Sequence, residues 1–198
     1  MPGRNYFSDV TTVLKSLSPT SSIRLPENWE KVISEIDKPK KCVFISYKGD
    51  DLDVAKDIAN YLTSVGINIF FDREHDLLTH ANTQNDYDTV VSYIEAGISI
   101  SSHMLAVVSD KTKNSWWVPF EIGSARRKST EIAHVVTKEV FDLPAFLRIS
   151  EIITSDEDLE KWVKKENVHK SIITESGKSI DKPSITRLPL YKKAINFV

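Results

Sequence analysis

A single glutamate, Glu121, stands in a largely apolar stretch near the middle of the chain, and it is the strongest candidate for chemistry. The neighbours in its predicted helix are Trp117, Val118, Phe120, Ile122 and Ala125. A carboxylate in such surroundings is paired, exposed at the start of its helix, or functional. The helix dipole favours an anion at this early position, so a purely structural role explains Glu121 about as well.

A second polar group follows Cys42–Tyr47, a short apolar run that predicts a strand covered on both faces. Gly49 allows close backbone approach after this strand. The start of the following helix could therefore face a phosphate, with Lys48 adding charge. A strand–helix turn with Asp50 or Asp51 as the helix N-cap explains the same residues at least as well. The chain has no Gly-rich phosphate fingerprint, so a conventional dinucleotide-binding fold is not indicated.

The elements that must position these residues alternate between strand and helix. The predicted strands are Cys42–Tyr47, Ile67–Phe71, His103–Val108 and Ile132–Val136. The predicted helices are Asp51–Val65, Tyr87–Ile100 with a break near Gly97, Trp116–Lys128 capped by Ser115, and Asp156–Glu166. This alternation predicts a parallel sheet with helices on both faces. Such folds bind ligands at the carboxyl edge of the strands, where the two polar groups would meet.

Residues 1–40 are predicted to form a helical extension. Asp9 could cap its first helix, and the second would open at Pro26 and carry an apolar stripe. The members of that stripe are Trp29, Val32, Ile33 and Ile36. The extension could pack on the domain as a lid or serve oligomerisation, and packing on its own domain is the commoner outcome. We expect a main domain at residues 41–166 and a packed C-terminal segment at residues 167–198. The polar segment Asp72–Asp86 predicts a long functional or mobile loop.

The composition argues against several functional classes. The 198 residues are 40% hydrophobic and 27% charged with a net charge of −2, which is ordinary for a globular domain and gives no basic footprint for nucleic acid. The single cysteine, Cys42, cannot form an internal disulfide and fits a reducing compartment. No apolar run is long enough to span a membrane and no signal-peptide pattern is visible, so we expect a cytoplasmic protein. The five histidines are scattered, which makes metal binding a weak hypothesis.

Two segments together resemble the signature of the TIR (Toll/interleukin-1 receptor/resistance) domain family. The strand Cys42–Tyr47 with its polar end is similar to that family's first box. The step from Trp117 to Glu121 is similar to the helix that carries the catalytic glutamate in NAD-cleaving members. The resemblance covers roughly residues 41–166, implies a flavodoxin-like α/β fold, and implies Glu121 as the catalytic residue. The substrate-binding residues that it implies are Ser46, Tyr47, Lys48, Asp50, Phe71, Arg73 and Trp117.

The same resemblance implies a reaction, namely cleavage of the nicotinamide–ribose bond of NAD⁺, which is the substrate, without a further cofactor. Nicotinamide leaves as a neutral molecule, so no general acid is needed. One fixed carboxylate can stabilise the positive charge that develops on the ribose, whereas ordinary glycosidases use a carboxyl pair. The product would be ADP-ribose in a linear, cyclic or conjugated form. Similarity to stand-alone prokaryotic members of Thoeris-type systems implies anti-phage signalling, with self-association and a separate effector that senses the product.

Two alternatives to this enzyme stay open. A non-catalytic TIR adaptor would act only by assembling with other TIR domains, but such a scaffold has no use for a carboxylate at Glu121. A transferase of the related 2′-deoxynucleoside class would share the sheet and a pocket glutamate. Tyr47 is equally open from the residues alone, because it could stack on a base or pack in the core.

Overall fold

Five parallel strands form one sheet in a computed structural model that describes residues 2–17, 31, 33, 41–72, 83–137 and 144–165. The strands are β1 Cys42–Ser46, β2 Asn68–Phe70, β3 His103–Val108, β4 Glu131–Val136 and β5 Glu151–Ile153. The helices are α1 Phe7–Leu17, α2 Leu52–Ser64, α3 Tyr87–Ile100, α4 Trp117–Arg127 and α5 Asp156–Lys165. The spatial order β2-β1-β3-β4-β5 is that of flavodoxin-like sheets, which confirms the predicted fold class.

Both faces of the sheet are buried, since successive residues of a strand point to opposite sides. One face packs against α1, α3 and α4, and Phe44 and Phe70 belong to it. The other face packs against α2 and α5, and Ile45 and Ile69 belong to that one. Double burial explains why the strands read as continuous apolar runs in the sequence.

Several predicted elements differ from the observed ones in position or continuity. The strand β5 was not predicted, because its three residues are too short to give a periodic pattern. The predicted break near Gly97 is wrong, since α3 runs unbroken from Tyr87 to Ile100. Gly97 instead provides space, because a Cβ atom there would lie 2.3 Å from the ring of Phe70. The glycine allows α3 to approach the sheet closely.

The segment before α1 runs beside β2 and pairs with its outer edge. The backbone of Tyr6 donates to the carbonyl of Ile69 at 2.9 Å, and the amide of Ile69 donates to the carbonyl of Arg4 at 2.9 Å. Helix α1 then continues onto the sheet, where Val10 and Leu14 are fully buried in the same core as α3. The stripe of this helix therefore packs on the chain's own domain. Asp9 does not cap the helix, which begins two residues earlier.

Parts of the predicted organisation lie outside the described residues. They include Arg73, most of the Asp72–Asp86 loop and residues 167–198. They also include the second predicted stripe, of which only Ile33 is described, and Ile33 is fully buried. The domain boundaries at residues 40 and 166 stay a prediction. No helix among the described residues is long and apolar enough to cross a membrane.

Candidate active site

A cavity of about 230 Å³ opens at the carboxyl end of β1, between that strand and helices α3 and α4. Its walls include residues from β1, from the end of β2 and from three helices. This is the edge at which open parallel α/β sheets bind ligands. The cavity is lined by several residues singled out in the sequence, namely Tyr47, Lys48, Gly49, Ser115, Trp117 and Glu121.

Glu121 lies in the second turn of α4 and is only 6% exposed. Ser46, the last residue of β1, faces it across the sheet–helix junction, and the hydroxyl of Ser46 donates a hydrogen bond to Glu121 Oε2. Burial raises the pKa of Glu121 to about 8, and the bond from Ser46 opposes part of that rise. Burial therefore favours the protonated form of this carboxyl group at neutral pH.

The first turn of α4 determines which of the adjacent residues Trp116 and Trp117 faces the cavity. The hydroxyl of Ser115 accepts a hydrogen bond from the amide of Val118 at 3.2 Å, which fixes the first turn. Trp117 turns inward and lines the cavity, whereas Trp116 is 91% exposed. Adjacent helical residues point in different directions, so only one of the pair can serve as a wall.

The residues after β1 divide between the cavity and the surface. The hydroxyl of Tyr47 donates to the carbonyl of Asp72 at 2.8 Å, and its ring packs against Phe71. Burial, together with the negative charges of Asp72 and Glu121, raises the pKa of Tyr47, so this phenol stays protonated. Lys48 lies at the cavity, and its ammonium group is paired with exposed Asp50 at 2.7 Å.

Three of the predicted substrate-binding residues do not line the cavity. Ser46 is buried and is connected to it through its hydrogen bond to Glu121. Asp50 points to the surface, where its partner is Lys48. Phe71 is fully buried in the core on the opposite face of the sheet, next to Ile69. Arg73 lies outside the described residues. The cavity thus brings together the end of β1 and the helix α4, as predicted. From β2 it is lined by Phe70, whereas the prediction was Phe71.

Several lining residues were not predicted. Asp72 was predicted only as the start of the long loop, although it lies two residues after β2, and the rule that placed the polar end of β1 at the site could also have found it. The remaining ones are aromatic or apolar and look like ordinary core residues in the sequence. They are Phe7, Phe44, Ile45, Phe70, Val90, Tyr93 and Ile94.

The cavity therefore combines two carboxyl groups, those of Glu121 and Asp72, with walls made largely of aromatic rings. Such an arrangement can bind a planar cation, because carboxylates and ring faces both attract positive charge. Across the described ranges, no group of three or more histidine, cysteine, aspartate or glutamate side chains is arranged to hold a metal ion.

Comparison with known proteins agrees with the topology of the sheet. A family model described as "TIR domain" matches residues 43–167, which is more than half of the chain. The match spans the strands from the second residue of β1 to the end of β5 and the helices α2 to α5, and it includes both Ser46 and Glu121. No curated protein matches the chain. The chain therefore belongs to the TIR domain family.

Proposed function

We propose that this protein is an NAD⁺ nucleosidase that cleaves the bond between nicotinamide and ribose. The observation that carries the proposal is the buried carboxyl group of Glu121, held by Ser46 at the end of an aromatic cavity. Membership of the TIR family supports it as well, since that family includes NAD-cleaving enzymes alongside non-catalytic members. The substrate carries the reactive positive charge itself, so no further cofactor enters the proposal.

The size of the cavity fits one end of a dinucleotide. At about 230 Å³ it is smaller than the roughly 300–1,000 Å³ typical of sites that enclose a whole drug-sized ligand. The nicotinamide–ribose end would enter the cavity, with its cationic ring between the aromatic walls. The phosphates would lie towards the mouth, and Lys48 is the one lysine or arginine among the described residues that line the cavity.

Bond cleavage would use Glu121 as a fixed charge. As the nicotinamide–ribose bond lengthens, its electron pair goes to the pyridinium nitrogen and positive charge develops on the ribose. The Glu121 carboxylate would stabilise that charge, and groups of this kind are worth roughly 10²–10³ in rate. Water, an internal adenine atom or a nucleophilic atom of a second molecule would then form the new bond to the ribose, and any proton that the nucleophile carries would pass to solvent. The product is ADP-ribose in linear, cyclic or conjugated form.

Charge also links substrate binding to protonation. Burial favours the neutral acid of Glu121, because it raises the pKa of the carboxyl group to about 8. A cationic ring in the cavity favours the carboxylate, so substrate would enter with release of a proton. The bond from Ser46 assists, since it too favours the charged form.

The test is incubation of the purified protein with NAD⁺ while nicotinamide release is followed by chromatography. We expect release by the wild type and loss of nearly all of it in Glu121→Gln, which keeps the size and removes the charge. Glu131→Gln is the matched control, because Glu131 is exposed at the amino end of β4 and should leave release unchanged. Normal release by folded Glu121→Gln would refute the role of this residue. Mass spectrometry of the products would tell linear from cyclic ADP-ribose.

A non-catalytic assembly role is the second candidate, favoured by the exposed aromatic side chains near the cavity mouth. Trp116 is 91% exposed and Tyr87 is 50% exposed. Large exposed aromatic groups are typical of surfaces that bind another protein. If the protein is an adaptor, the wild type and Glu121→Gln should self-associate to the same extent, and neither should release nicotinamide from NAD⁺.

The biological role that we attach to the enzyme is signalling in anti-phage immunity. The protein would act in the cytoplasm, associate with further copies through its TIR domain, and release an ADP-ribose-type signal that a separate effector senses. Nucleic acid and membranes are not part of this proposal. Expression with and without a candidate effector during phage challenge would test it, and equal phage growth in wild type and Glu121→Gln would contradict it.

A further inference from the structure

One wall of the cavity comes from outside the residues matched to the family. Phe7, the first residue of α1, lines the cavity together with Phe70 and Tyr93. Its ring stacks on Tyr93 with the centroids 5.9 Å apart, and it meets the edge of Phe70 at 5.3 Å. Phe70 in turn stacks on Phe44 at 5.5 Å. The family match begins at residue 43, so Phe7 lies outside it.

The backbone around Phe7 is fixed by contacts that do not depend on its ring. The side chain of Asn5 donates to the carbonyl of Phe71 at 2.7 Å and accepts from its amide at 3.1 Å. Asn5 also accepts from the amide of Phe7 itself at 3.2 Å. Gly3 lies against the backbone of Ile67, and a Cβ atom at Gly3 would be only 1.8 Å from the carbonyl oxygen of Ile67. Phe7 is therefore held in place before any ligand arrives.

We infer that Phe7 determines which ring the cavity accepts, by presenting an aromatic face to a planar, positively charged ligand such as a pyridinium. This inference rests on the proposed function, because it assigns the nicotinamide ring of NAD⁺ to the wall that Phe7 helps to build. The physical reason is that an aromatic face attracts a cation, whereas a neutral ring of the same shape gains only apolar contact. The carboxyl groups of Asp72 and Glu121 line the same cavity and select for the same charge.

The probe for this inference is 1-methylnicotinamide, a pyridinium cation that has no ribose bond to cleave. Its binding to the wild type, Phe7→Leu and Phe7→Tyr is measured by titration calorimetry at pH 9, where Glu121 is charged. Leucine keeps an apolar wall without a ring, and tyrosine keeps the ring. We expect Phe7→Leu to bind the probe roughly three- to thirtyfold more weakly, which corresponds to a desolvated cation–π contact. Phe7→Tyr should stay close to the wild type.

Val10→Ala is the matched control, because Val10 is fully buried on the same helix and does not line the cavity. It should lower the melting temperature and leave the affinity for the probe unchanged. If Phe7→Leu does not fold, Phe7→Met takes its place, since methionine fills an apolar wall adaptably. Equal affinities in the wild type, Phe7→Leu and Val10→Ala would overturn the inference, as would a wild type that binds neutral nicotinamide as tightly as the cation.

The outcome is separable from that of the proposed function. If the wild type binds the cation through Phe7 but releases no nicotinamide from NAD⁺, the reaction is refuted and the role of Phe7 in ring binding is supported. If NAD⁺ is cleaved and Phe7→Leu leaves KM unchanged, the reaction is supported and the role of Phe7 is refuted. A wild type that binds no probe also refutes it. When both hold, Phe7→Leu should raise KM for NAD⁺ and change kcat by less than about twofold.

Discussion

Titration of Glu121 should control the rate of NAD⁺ cleavage in an unusually alkaline range. Burial raises the pKa of this carboxyl group from 4.5 to about 8 in the free protein. That change corresponds to roughly 5 kcal/mol in favour of the protonated form. Since the proposed reaction needs the carboxylate, kcat/KM should rise about tenfold per pH unit below pH 8 and level off above it.

The substitution Ser46→Ala tests whether the pKa of Glu121 sets the midpoint of this pH profile. The hydroxyl of Ser46 donates to Glu121 Oε2 and thereby favours the charged form. A hydrogen bond to a charged group is worth about 1.5–3 kcal/mol, so its loss should move the midpoint of the pH profile up by about one to two pH units. Ser99→Ala is the matched control, because the hydroxyl of Ser99 only donates to the carbonyl of Ala96 within α3. It should leave the midpoint in place.

The assay is nicotinamide release at low NAD⁺ concentration from pH 6 to pH 10, with the rates fitted for each variant. Unfolding in urea provides an independent measurement. A pKa that is higher in the folded state contributes stability below pH 4.5 that is lost as the pH rises through about 8. Glu121→Gln should therefore become more stable than the wild type as the pH is raised. A midpoint near pH 4–5, or equal profiles for Ser46→Ala and Ser99→Ala, would refute this reasoning.

Three further predictions concern stability and assembly. Burial lowers the pKa of His134 to about 4. The free energy of unfolding should therefore decrease as the pH falls below 6.5, by about 2 kcal/mol at pH 5. Urea unfolding of His134→Leu should show no such decrease. Gly97→Ala should destabilise by about 1–3 kcal/mol through its clash with Phe70, whereas Gly123→Ala, with open space at its Cβ, should stabilise by about 0.5–1 kcal/mol. Equal effects of the two glycine substitutions in chemical denaturation would contradict this account. If copies share a site, specific activity should rise with protein concentration, and a flat dilution series from a monomer by light scattering would exclude sharing.

The sequence contained enough information to place the main parts of the site. A doubly buried strand gives a continuous apolar run, so β1 and its polar end at Ser46 were visible. The early helix position of Glu121 was visible too, and parallel strands then bring both residues to one edge. Which side of a strand faces the cavity was not visible, because large apolar side chains lie on both sides of β2, Ile69 on one and Phe70 on the other. Phe71 was therefore predicted to bind substrate, whereas the residues that line the cavity are Phe70 and Asp72.

Contacts between distant parts of the chain account for the rest of what was missed. Phe7 was not singled out in the sequence, because nothing local indicates that it reaches the carboxyl edge of the sheet. The protonation of Glu121 depends on how completely the surrounding elements exclude water, which is a property of the packed structure. The lowered pKa of His134 in β4 also follows from burial, and among the described residues neither of its ring nitrogens has a hydrogen-bond partner.

The strip of chain along β2 has a practical consequence for any fragment cut to the family match. Without residues 3–6, the amide and carbonyl of Ile69 would lose their partners and leave a bare strand edge. Bare edges recruit strands from other molecules, so such a fragment should aggregate more readily than the full chain. Its cavity would also be open on the side of Phe7. An inactive fragment of this kind would therefore report a damaged sheet edge rather than the chemistry of Glu121.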